Sequence, residues 1–290
     1  MQILKMNNNA IAAHISNKNE FIALCHELNI PTLETYPCYD VGDFVRIKSI
    51  LNPSATHIVK PLLDRVQLDD QRRRFLVCES GEDLEKFVWE EYLSSSEFEG
   101  FQIQQYVDFR KETVKYYNVT FNAGEYLTEY LTTEQIINVS AIHKNIQSVH
   151  WGNASPSQHH LLGAAEAHAR RLAEHYYEIG YRGEIGIDFG LREKSIFFLE
   201  TNARVNNGTR LYYALGELGL NPRKAYYLLV LSELVDHAVP IVSDLFQAGK
   251  IVLHEREDRR TLLISQSATP IEIIHNQLNA LARACEPLPY

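Results

Sequence analysis

The stretch Gly183-Glu-Ile-Gly-Ile-Asp188-Phe-Gly190, followed after a short polar loop by Phe197-Phe-Leu-Glu200-Thr-Asn202-Ala-Arg204, decides the reading of this chain. Both halves mix apolar and polar residues with the period of a half-buried strand, and Arg192-Glu193-Lys194 has hairpin length, so the two runs pair antiparallel. Side chains two apart on a strand share a face. Glu200 and Asn202 therefore project together while Phe197 and Leu199 enter the core, and the hairpin brings Asp188 beside the polar pair. Three hard oxygen donors on one sheet face, two of them anionic, suit Mg²⁺, which takes few carboxylates and completes its coordination from water and substrate phosphates. The spacing alone also fits two ordinary solvent-facing acids on an open hairpin.

Outward from this hairpin, Leu161, Leu162, Ala165, Ala169, Leu172 and Tyr176 predict an amphipathic helix from Ser157 to Tyr177, stopped by Gly180. Further upstream, Thr113 to Phe121 and Tyr126 to Leu131 flank Asn122-Ala123-Gly124 as a hairpin, and Phe101 to Val107 alternates like a strand that opens a second sheet. The first hundred residues read as a small α+β unit. Asn17 and Glu20 start a helix carrying Phe21, Leu24, Cys25 and Leu28, which ends at Asn29-Ile30-Pro31. Thr56 to Lys60 and Phe75 to Cys78 follow as short strands, and Ser80 opens another helix. After Pro222 the pattern predicts helix to about Ala238, then a strand at Ile251 to His254 or Thr261 to Ile264, and a last helix through Ile271, Ile274, Leu278 and Leu281.

Composition narrows the classes of partner. With 290 residues and 45% hydrophobic side chains the chain can bury one large core or two modest ones. A formal charge of −9 opposes binding to nucleic acid or anionic lipid. Apolar runs such as Tyr226 to Val230 are far shorter than the roughly 20 residues of a membrane span, and the N-terminal stretch lacks a secretion signal, so a cytoplasmic location is expected. Cys25, Cys38, Cys78 and Cys285 are scattered and read as reduced thiols rather than a zinc site or disulfide framework.

Two lysines gain meaning from position. Lys60 ends a short apolar strand and is fixed by Pro61, where it reads either as a solvated strand end or as a held cation for phosphate. Lys18 lies in the first turn of its helix, where the dipole disfavours a cation unless it is exposed or bound to an anion. Taken in order, Lys18, Ile30-Pro31, Ile58-Val59-Lys60-Pro61, Ile103-Gln-Gln-Tyr-Val-Asp108 with Glu112-Thr-Val, Gly180-Tyr-Arg-Gly-Glu-Ile-Gly-Ile-Asp188 and Leu199-Glu200-Thr-Asn202-Ala-Arg204 resemble the ATP-grasp superfamily over roughly Ala12 to Leu220.

The resemblance implies an α+β fold in which two subdomains clamp ATP: residues 1–100 as the small one, 101–222 as the large one with the metal site, and 223–290 as a helical and strand extension of the large one. It also implies a carboxylate-amine ligase that activates a carboxylate as an acylphosphate and forms an amide, with amino acid or peptide-like substrates, ATP, and one or two Mg²⁺ ions or Mn²⁺ in their place. Lys18 and Lys60 would contact phosphates, the backbone of Gln104, Gln105, Tyr106 and Val107 would hold adenine, and Glu112 would bind ribose. Asp188, Glu200 and Asn202 would bind metal, Arg204 would face the transferred phosphate, and Lys144 would lie near the γ-phosphate. His143, His150, Trp151 and Asn206 are candidate pocket residues.

Three departures stand out, the first at the hinge, where Gln104 or Gln105 stands in place of the acidic residue common in the family. No glycine occurs between Pro61 and Gly81, where the family carries a phosphate-covering loop, leaving Arg65 or Arg72-Arg73-Arg74 as substitutes. Only about a dozen residues precede the resemblance, which leaves no room for the usual preceding α/β domain. The tail after Pro222, a second subunit of a homodimer or a partner protein would then complete the acceptor site. These departures keep open a second class, a catalytically weakened nucleotide-binding module serving regulation or assembly.

Overall fold

In the computed structural model the described residues are 8–61, 75–93, 100–107, 114–142, 145–155, 159–222, 225–231, 239–256, 260–265 and 267–284. The Asn17 side chain accepts from the Asn19 and Glu20 amides and so starts α2 (Lys18–Glu27), after α1 (Asn8–Ile15). β1 (Thr35–Cys38), α3 (Val41–Ile50), β2 (His57–Pro61), β3 (Phe75–Cys78) and α4 (Gly81–Phe87) follow. Asp40 and Ser80 cap α3 and α4 through their side-chain oxygens.

β4 (Phe101–Gln105) corrects the sequence reading. Rather than opening a second sheet, it lies between β1 and β2, antiparallel to both. Its alternation predicts a strand but carries no information on which strands flank it.

The large part contains β5 (Lys115–Ala123), β6 (Leu127–Ile142), β7 (Asn145–Ala154), α5 (Leu162–Glu178), β8 (Gly183–Arg192), β9 (Ser195–Asn202) and α6 (Asn207–Glu217). Beyond it run β10 (Tyr226–Leu231), α7 (Val239–Gln247), β11 (Ile251–Arg256), β12 (Arg260–Ser265) and α8 (Ala268–Ala284). The region after Pro222 was expected to be helical. Tyr226–Leu231 is instead a strand between β7 and β12. A continuous apolar run buried on both faces has neither the helical nor the alternating period, so pattern alone does not assign it.

The strands join in the order β1-β4-β2-β3-β7-β6-β5-β8-β9, with β10, β12 and β11 branching from β7. Among the described residues β3 and β7 link the two groups of strands by pairing Phe75 with Ile146 and Leu76 with Asn145. One core lies behind the β8–β9 hairpin, where Tyr117, Val119, Phe121, Ile187, Phe189 and Phe198 meet α5 and α2. Ala165, Ala169 and Ala173 of α5 are buried there, so that helix lies close to the sheet. The other groups of strands have their own clusters, Phe44, Val59, Phe101 and Ile103 in one and Leu211, Leu215, Tyr227 and Leu262 in another. Each such fully buried side chain contributes about 1.5 to 3 kcal/mol of transfer free energy. Gly180, at φ 97°, ends α5 in the left-handed conformation that the sequence predicts. Among the described residues no helix is long and apolar enough to cross a membrane, and Cys25, Cys38 and Cys78 are buried free thiols. Cys285 lies outside the described residues.

Candidate active site

The register of β8 on β9 sets Asp188 opposite Glu200, and that of β5 on β8 sets Asn118 opposite Asp188. Asp188 is held on both oxygens. Oδ1 accepts from Asn118 Nδ2 at 2.7 Å and from Gln135 Nε2 at 2.7 Å, and Oδ2 accepts from Asn202 Nδ2 at 3.0 Å. Burial and the nearby Glu200 charge push the Asp188 carboxyl well above its ordinary value, against the pull of the Asn118 and Gln135 amides and of Arg204.

The Asn202 amide also donates to Glu200 Oε1 at 3.3 Å, while its Oδ1 accepts from Arg204 Nη2 at 3.3 Å. All three contacts agree on one orientation, nitrogen toward the carboxylates and oxygen toward the guanidinium. Arg204 lies two residues beyond the end of β9 and is exposed. Lys18 enters from α2, only 4% exposed, with Nζ 3.5 Å from Glu200 Oε2. A lysine is rarely this buried without an anion to compensate its lost hydration. The helix-dipole alternative is thus decided by tertiary contact: Lys18 is anion-bound, not exposed.

Behind Asp188 a polar row continues under α6. Thr120 Oγ lies 2.9 Å from Asn118 Oδ1 and 3.3 Å from Asn206 Oδ1, and Asn206 caps α6 by accepting from the Thr209 amide at 3.0 Å. A Cβ at Gly186 would land inside the Asn206 amide, so only glycine lets the cap lie this close to β8.

Lys60 occupies a second cluster, on β2 and β4. Its Nζ donates to Gln104 Oε1 at 2.7 Å, Gln104 Nε2 donates to Thr35 Oγ at 2.8 Å, and Thr35 Oγ donates to the Leu33 carbonyl at 2.8 Å. The hinge is more occupied than sequence suggests. The Gln105 amide donates to the Glu34 carbonyl and the Tyr106 amide to the Thr56 carbonyl, so a ligand there can meet these two backbones only at carbonyl oxygens. Val107 is buried in a cluster with Leu33, Tyr116 and Phe197.

The structure therefore gathers Asp188, Glu200, Asn202, Lys18 and Arg204 in one cluster and Lys60 with Gln104 in another. Glu112, Lys144, His143, Arg65 and Arg72 to Arg74 lie outside the described residues, and His150 and Trp151 fall in β7. Asn118 and Gln135 were not singled out in the sequence. The alternation Asn118, Thr120, Asn122 between buried Tyr117, Val119 and Phe121 is visible there, but nothing local shows that it faces Asp188.

Among the described residues no group of three or more His, Cys, Asp or Glu could hold a metal ion. Asp188, Glu200 and the Asn202 amide make a smaller set, suited to an ion that completes its coordination from water and phosphate. Burial and the Glu200 charge together lift the Asp188 carboxyl, and a divalent cation would offset both, so the residues fit the group.

No protein-family model matches the sequence, and no curated protein matches it. Solved structures resemble it in three dimensions. The N5-carboxyaminoimidazole ribonucleotide synthetase of Thermus thermophilus superposes with a TM-score of 0.58 at 16% identity, over 96% of this chain and 74% of that one. An Aspergillus clavatus N5-carboxyaminoimidazole synthase, solved with ADP and 5-aminoimidazole ribonucleotide, gives 0.60 at 11%, over 94% and 74%. The L-amino acid ligase of Bacillus licheniformis gives 0.55 at 10%, over 92% and 71%. The chain has the ATP-grasp fold. Identities this low establish the ATP-grasp architecture and leave the chemistry to the side chains.

Proposed function

We propose that this chain is an ATP- and Mg²⁺-dependent carboxylate-amine ligase acting on amino acid or peptide-like substrates. The observation that carries the reading is the meeting of Lys18 with Glu200, which sets a buried cation against the carboxylate hairpin. Asp188, Glu200 and Asn202 would hold Mg²⁺, which supplies charge neutralisation at the nucleotide phosphates. The structural neighbours support this reading, since one was solved with ADP and another is named an amino acid ligase.

Lys18 and Lys60 bind phosphate oxygens, and the carbonyls around Gln104 and Gln105, with Tyr106 and Val107, border the adenine. Glu112 and Lys144 retain the ribose and γ-phosphate roles implied by the resemblance. A substrate carboxylate oxygen attacks the γ-phosphorus and the bond to the ADP oxygen breaks. Arg204 orients the resulting acylphosphate with two parallel hydrogen bonds. The acceptor amine then attacks the acyl carbon, phosphate leaves with the electron pair of the broken C–O bond, and the amine loses its proton. The groups that surround the acylphosphate keep water from it.

Single-turnover phosphate release across a panel of amino acid pairs tests this reading, with Glu200→Gln as control. The parent releases phosphate with at least one pair and the variant, folded, releases none. ATP binding without phosphate release from any pair would leave a nucleotide-binding module, and full turnover by Glu200→Gln would show the site is wrongly placed.

A further inference from the structure

Gln102 is 2% exposed, yet its side-chain Nε2 has no hydrogen-bond partner among the described residues. On β4 it is flanked by Phe101 and Ile103, which face the core with Val59, so Gln102 faces the opposite side. That side is shared with Lys60, its cross-strand partner in β2, and with Gln104, two residues along. Gln104 has both ends of its amide engaged, by Lys60 and by Thr35. Gln102, which lies opposite Pro37 in β1 where Gln104 lies opposite Thr35, does not. A buried donor left unmet costs free energy that an apolar residue of the same shape would not, so its presence calls for an acceptor.

We propose that Gln102 donates its Nε2–H to a phosphate oxygen of the bound nucleotide, an inference that rests on the ligase reading for the occupant of the cleft. β4 runs from Phe101 toward the hinge at Tyr106 and Val107, so Gln102 lies about 7 Å farther from the hinge than Gln104 does. That offset places it on the phosphate side of an adenine seated at the hinge. Lys60 supplies a point charge with no fixed direction. The planar amide beside it supplies a directed donor, and the pair grips a phosphate more specifically than either group alone.

Calorimetric titration of ATP, ADP and adenosine into the parent, Gln102→Met and Gln102→Glu tests the assignment. Gln102→Met, close to the parent in volume, binds ATP and ADP about tenfold more weakly and adenosine unchanged, and its thermal midpoint is at or above that of the parent. Gln102→Glu, which is isosteric, loses more because it repels the phosphate, and it carries the test if the Met variant fails to fold. Parent-like ATP affinity in either folded variant overturns the proposal. An equal loss for adenosine and ATP overturns it too, because the contact would then be to the nucleoside. A parent chain that binds no adenine nucleotide overturns the ligase reading as well, whereas a parent that binds ATP alongside an unaffected variant overturns this assignment alone.

Discussion

Asn202 turns the nitrogen end of its amide toward Asp188, with Nδ2 3.0 Å from Oδ2, and gives its oxygen to Arg204. A cation bound between Asp188 and Glu200 would need the oxygen end, so metal binding would require this amide to turn over. Asn202→Asp puts a third carboxylate where a donor now bridges two. The variant should melt lower than the parent in chelator and gain more than the parent from added Mg²⁺ or Mn²⁺. Equal metal-induced shifts in melting temperature would remove Asn202 from the metal site.

Lys18 and Glu200 should be energetically coupled before any nucleotide arrives. Because Glu200 is 30% exposed, the coupling is modest, about 1 kcal/mol in a double-mutant cycle of Lys18→Met and Glu200→Gln followed by urea unfolding. Strict additivity of the two changes would mean that their 3.5 Å separation contributes nothing.

Arg204→Lys keeps the charge and removes the two-pronged geometry. It should bind ATP nearly as well as the parent and lose about tenfold in single-turnover phosphoryl transfer, equivalent to about 1.4 kcal/mol of transition-state stabilisation. An unchanged rate constant with altered ATP affinity would make it a nucleotide contact instead.

Gly186→Ala forces a methyl group into the Asn206 amide and so displaces the cap of α6. The cost expected of such overpacking is about 1 to 3 kcal/mol, read as a lowered denaturant midpoint. A midpoint equal to the parent's would show that the cap moves freely.

Acid should weaken the fold through its buried histidines. Burial holds the His57 imidazole below its ordinary value of 6.5, against the opposing pull of the Ala55 carbonyl and Glu34. The unfolded chain therefore binds a proton more readily than the folded one, and stability present above 6.5 falls as pH drops through that value toward the lower folded pKa. Burial acts in the same direction on His159 and His168. The melting temperature of His57→Gln should decline less than the parent's between pH 7.5 and about 5.5. Parallel declines would rule out His57 as a contributor.

The β8–β9 hairpin was legible because its signals are local: alternation, a short polar loop and the two-residue spacing of Glu200 and Asn202. Lys18 was legible only through family resemblance, since nothing in the first turn of α2 says that it will meet β9. Asn118 from the adjacent strand β5 and Gln135 from β6 beyond it reach Asp188 across 70 and 53 residues of sequence, information that no window of sequence contains. Tyr226–Leu231 was read as helix because burial on both faces erases the periodicity that separates helix from strand.

The junction of β3 with β7 has a thermodynamic consequence. Among the described residues two pairs close it, against nine between β5 and β8, so the described main-chain ladder on its own does little to make the two groups of strands melt as one. Each group has its own apolar cluster and can act as a separate cooperative unit. Amide hydrogens of β5 and β8 should exchange only through large, rare openings, while those at the junction exchange through a small local one. Parting the strands at that seam breaks the described pairing of Phe75 and Leu76 with Ile146 and Asn145 and leaves both cores dry.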